Sequence, residues 1–134
     1  MQREKDYLKK KIDKLAVALA ELLAKVTKTE VAFTKEGFVA EFDQILQEET
    51  NLNLNVILEM EENDFLKKLQ EKNEFMPSQL HILTDLLYQY YRNFGNINGL
   101  NKKIVTLYES CIENGIALSL EKYKLIDSLK ENNG

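Results

Sequence analysis

The chain is 134 residues long, 44% hydrophobic and 30% charged, with a net charge of −4, one cysteine and one histidine. That length suits one domain that buries its own core, and the charge balance gives no attraction to nucleic acid or an anionic membrane. Only Arg3 and Arg92 among the 18 basic residues carry the guanidinium fork that grips phosphate and guanine, and Cys111 alone can neither close a disulfide nor anchor a zinc cluster.

The first predicted helix runs from about Gln2 to Val26. Leu8, Ile12, Leu15, Leu19, Leu22 and Val26 fall at alternating spacings of four and three, a heptad seam. Ala16, Ala18, Ala20 and Ala24 add helix propensity. Two readings of the seam stay open. It packs onto the rest of its own domain, or it is a self-association surface that makes a homodimer; Val17 and Leu23 widen the apolar face enough for both. Lys9, Lys10, Lys11 and Lys14 read as the wet face of the helix, with an acidic partner or a membrane surface as the alternative. Met1–Lys14 is too charged for a secretion signal, and Lys14, Glu21 and Lys25 break the apolar run that a membrane span would need. The expected setting is the cytoplasm, and the Lys- and Asn-rich composition points to a bacterial host.

Thr34 is a candidate N-cap for a second helix, with Phe38, Phe42, Ile45 and Leu46 on its inner side. Gly37 is out of place in a first turn, where it costs up to about 1 kcal/mol relative to Ala. Val31-Ala32-Phe33 is positioned to staple the chain entry. In Asn51–Leu58, alternation of Leu52, Leu54 and Val56 would suit a strand. No other segment offers a pairing partner, however, and an unpaired strand leaves its backbone groups unsatisfied. The stretch is therefore predicted as a turn capped by Asn53 or Asn55 leading into a short helix to about Met60. A further helix is predicted over Asn63–Glu71, with Phe65, Leu66 and Leu69 inward, then a loop to Ser78. Glu59, Glu61, Glu62 and Asp64 lack the spacing of a calcium loop and read as a solvated helix start, so no metal or cofactor is expected.

The centre of the chain is a predicted helical hairpin, Gln79–Phe94 and Leu100–Asn114, joined by Gly95-Asn-Ile-Asn-Gly99. Pro77 suits the first helical position. Leu80, Leu83, Leu87, Tyr90 and Phe94 form one stripe, with Ile82 and Leu86 beside it. Tyr88, Tyr90 and Tyr91 cannot all face one core. Tyr90 belongs to the stripe, which leaves Tyr88, Tyr91 and Arg92 as candidate partner-binding residues, since Tyr and Arg dominate binding energy at interfaces. The alternative is a helix buried on two sides with tyrosine hydroxyls at the surface. His81 has Asp85 one turn on but no supported nucleophile, and Cys111 reads as a small core hydrophobe. Gly115 is expected to end the hairpin as a left-handed glycine. Ser119 then caps a final helix that buries Tyr123, Ile126 and Leu129.

Leu87, Tyr91, Gly95, Ile104, Tyr108 and Cys111 resemble the pattern of a tetratricopeptide-type helix pair, with a lengthened turn and with Ile104 where that family prefers alanine. Several features in chain order also resemble a family of small bacterial helical proteins built around a domain of unknown function. These are the N-terminal Tyr7-Leu8…Leu15-Ala-Val-Ala-Leu-Ala20 helix, the Asn51-Leu-Asn-Leu54 segment, the hairpin and the Leu118-Ser-Leu-Glu121 start of the last helix. The first resemblance implies packing against further helices or binding of other proteins; the second implies a fold and no activity.

The expectation is an all-α, single-domain bundle of five to six helices, with a long N-terminal helix and a tetratricopeptide-like hairpin. No phosphate-cradling glycine loop and no Ser/His/Asp or Cys/His constellation is present, so no catalytic residue is assigned. A non-enzymatic protein interaction or self-association module leads. A small-molecule sensor, with its pocket between the hairpin and the N-terminal helix, is the alternative.

Overall fold

A computed structural model describes residues 2–28, 33–50, 52–61, 64, 66–67 and 77–131, apart from the side chains of 2–13, 49, 77 and 78. These residues form α1 (Gln2–Thr27), α2 (Lys35–Glu49), α3 (Leu54–Glu59), α4 (Pro77–Phe94), α5 (Leu100–Glu113) and α6 (Leu120–Glu131), with no strand among them. The protein is an all-α bundle. Its centre is α4, which packs against α5 on one side and α1 on the other; α2 lies on α1, α6 on α5, and α3 against α2. No helix among the described residues is long and apolar enough to cross a membrane.

The C-terminal part of the α1 seam closes onto this bundle. Leu15, Leu19, Leu22 and Val26 are all buried in the chain's own core. Packing within the domain is thus the arrangement these four adopt, and a dimer built on them would first have to expose them. Leu8 and Ile12 lie outside the described side chains. Val17, expected to widen the buried face, is 57% exposed.

The start of α2 explains its glycine. Thr34 Oγ1 accepts from the Gly37 N–H at 3.0 Å, and a Cβ on Gly37 would sit 3.0 Å from that same hydroxyl oxygen. A side chain at this position would therefore require the capping hydroxyl to shift by a few tenths of an ångström. Phe33 lies 5.9 Å from Phe38 and 5.6 Å from Phe94, so it staples the entry to α2 and reaches α4 as well. Val31 and Ala32 lie outside the described residues.

The ambiguous Asn51–Leu58 stretch turns and then forms a helix. Asn53 Oδ1 accepts from the Val56 N–H at 2.8 Å, which caps α3. Leu54, Ile57 and Leu58 are buried while Val56 is exposed, so the buried face follows a helical period and not an alternating one. Asp43 on α2 accepts from the Leu54 N–H at 2.7 Å and fixes where α3 begins. Of the helix predicted over Asn63–Glu71, only Asp64, Leu66 and Lys67 are described; Leu66 is half-buried, and Glu59, Glu61 and Asp64 are exposed.

The hairpin turn needs left-handed backbone at Gly95, Asn98 and Gly99, and two of these three are glycines, the residue that adopts it without strain. Asn96 supplies the cap that Gly99 cannot. Its Oδ1 accepts from the Asn101 N–H and its Nδ2 donates to Asn101 Oδ1, both at 3.0 Å. Asn101, itself buried, then donates to the Leu129 carbonyl in α6 at 3.2 Å. At the far end of α5, Ile116 N–H bonds Cys111 O and Gly115 N–H bonds Ile112 O, the paired closure of a left-handed glycine cap. Ser119 Oγ accepts from Lys122 N–H at 3.3 Å at the start of α6. Ile126 and Leu129 are buried as predicted, but Tyr123 is 44% exposed: α6 enters the core through its second half only.

Candidate functional site

Asp85, half-buried at the edge of the core, is the one carboxylate on α4, and its contacts draw three helices together. Its Oδ1 accepts from the Tyr108 hydroxyl of α5 at 2.6 Å and from the Lys122 ammonium of α6. Lys122 Nζ also donates to the Tyr108 hydroxyl oxygen at 3.2 Å and lies 5.2 Å from the centre of its ring. An acid placed among apolar residues requires a partner, because an isolated buried charge is too costly to keep. Lys122 is that partner, and the tyrosine ring shields the pair.

The protons in this cluster are held in place. Burial first, then the charge and hydrogen bond of Asp85, push the Tyr108 hydroxyl far above its ordinary range, so it remains a donor. Burial, with Asp85 second, pushes the Cys111 thiol up to about 11, which keeps it protonated at neutral pH. The expectation of an inert core cysteine agrees with this, since the nucleophile would be the thiolate. His81 Nε2 lies 3.8 Å from Asp85 Oδ2, is buried, and makes no hydrogen bond among the described residues. Thr84, the nearest hydroxyl in sequence, is buried and donates to the Leu80 carbonyl. As a chemical arrangement the cluster is a tether.

The tether forms part of the wall of a groove of about 490 Å³. Leu23 and Thr27 of α1 flank it on one side, Asp85, Tyr88 and Gln89 of α4 run along it, and Lys122 and Leu125 of α6 close the other side. Glu121 and Lys124 add one charge of each sign to the lining. Of the residues singled out for partner binding, Tyr88 lines this groove, half-buried, with its ring stacked on that of Tyr91 at 6.3 Å between centres. Arg92 is exposed one turn beyond Tyr88 on the same side of α4. The structure therefore brings Tyr88 and Tyr91 together and puts Arg92 in line with the groove without making it part of the lining.

Sequence reading did not single out Lys122 or the bond from Tyr108 to Asp85. The signal available was Asp85 itself, the one acidic residue of α4, with the apolar Leu83, Leu86 and Leu87 around it. A second cavity, of about 530 Å³, lies between α3 and the start of α5, where the buried Lys103 ammonium donates to the Leu58 carbonyl. Among the described residues no group of three or more His, Cys, Asp or Glu side chains is placed to hold a metal ion.

No family model, no curated protein and no solved structure matches this chain.

Proposed function

We propose that the protein is a non-enzymatic interaction module that docks a protein partner along the groove between α1, α4 and α6. The observation that carries this reading is Tyr88, on the groove and braced by Tyr91, with exposed Arg92 one turn further along. An aromatic ring already held by a neighbour loses little freedom on binding, and Tyr and Arg are the residue types that concentrate binding energy. The absence of a catalytic assignment rests on chemistry: Tyr108 and Cys111 keep their protons, and Thr84 is bonded to backbone. The resemblance of the hairpin to tetratricopeptide-type pairs favours the same reading, and the composition favours a bacterial cytoplasm as its setting. A second copy of the chain is one admissible partner, but it would need a surface other than Leu15, Leu19, Leu22 and Val26.

The test is a quantitative pull-down from host lysate with the wild type, a Tyr88→Ala/Arg92→Ala variant and a Val17→Thr control on the exposed side of α1. Capture by wild type and control but not by the double variant is the expected result. Equal capture by all three would remove the groove as the docking site.

The size of the groove supports a second reading, a small-molecule sensor, because pockets of about 300–1,000 Å³ hold metabolite-sized ligands. A thermal-shift screen against metabolites separates the two, since a ligand that binds only the native state must raise its melting temperature. A hit abolished by Leu125→Asp would favour the sensor.

A further inference from the structure

We draw no further inference here: the strongest candidate, the cavity of about 530 Å³ between α3 and the start of α5, carries nothing, because its buried Lys103 is already bonded to the Leu58 carbonyl and the first N–H groups of α5 find acceptors within the chain, so no second observation points to a ligand.

Discussion

Tyr108 donates its hydroxyl proton to Asp85 at 2.6 Å across the α4–α5 interface, and Lys122 reaches the same carboxylate oxygen from α6. One acceptor atom thus holds two helices to a third, which makes the three residues unequal. Loss of Asp85 orphans the Tyr108 hydroxyl proton and leaves Lys122 only the Tyr108 oxygen at 3.2 Å, whereas loss of Lys122 leaves the carboxylate without its cation.

Asp85→Ala takes the acceptor from Tyr108 and Lys122→Met leaves the carboxylate without its cation, so each is expected to cost about 1.5–3 kcal/mol, and the double variant less than the sum of the two. Urea unfolding of the three variants measures the coupling. Strict additivity would show that the two residues do not act as a pair.

The alkaline limb of stability should report on the same region. Cys111 and Tyr108 are both held protonated in the fold, Cys111 up to about 11 from an ordinary value of 9.0. A group whose folded pKa is raised contributes stability that is complete below its unfolded value and disappears as pH rises through the folded one. The unfolding midpoint should therefore fall as pH rises from about 9 toward 11. Cys111→Ala should flatten that decline in thermal melts; a slope unchanged from wild type would argue against the thiol's share.

Gly37 offers a test of competing local terms. In the wild type, Gly37→Ala gains helix propensity of about 1 kcal/mol but crowds the Thr34 cap, which is itself worth about 0.5–2 kcal/mol. The substitution should be neutral or harmful alone, yet stabilising by about 1 kcal/mol when added to Thr34→Ala, where the hydroxyl is gone. A double-mutant cycle reads the sign change directly. Additive effects would mean that the cap and the side chain do not share the space.

Leu19 is fully buried at the middle of the seam. Leu19→Ala should cost about 2–5 kcal/mol in stability while leaving the molar mass by light scattering the same as that of wild type. A shift from dimer to monomer in the variant would instead tie this residue to self-association.

The helices were legible because their signals are local. Thr34, Asn53, Ser119 and Gly115 each act on backbone groups a few residues away, so their chemistry can be read without knowing the fold. The core stripe of α4 was legible for the same reason: Leu80, Leu83, Leu87 and Tyr90 carry their period with them. Tyr123 was misread because its spacing from Ile126 fits a buried face, and only the docking of α6 decides how far that face reaches into the core. Lys122 lies 37 residues from Asp85, and nothing near it announces a pairing. The cost of Gly37 is legible in the sequence, but its close approach to the Thr34 hydroxyl is a matter of three-dimensional spacing that the sequence does not display.

The order of helices around α4 also sets a timetable. Its neighbour α5 follows immediately through a turn whose shape Asn96 and two glycines determine, so that pair closes a short loop. Its other neighbour, α1, ends at Thr27, far upstream of Pro77, and must close a much longer loop to dock. Loop-closure entropy and contact order then favour the hairpin as the first lasting structure during folding, with α1 arriving late. The long N-terminal helix can pair early with α2, which follows it closely, but the side it turns to α4 stays uncovered until the middle of the chain is in place.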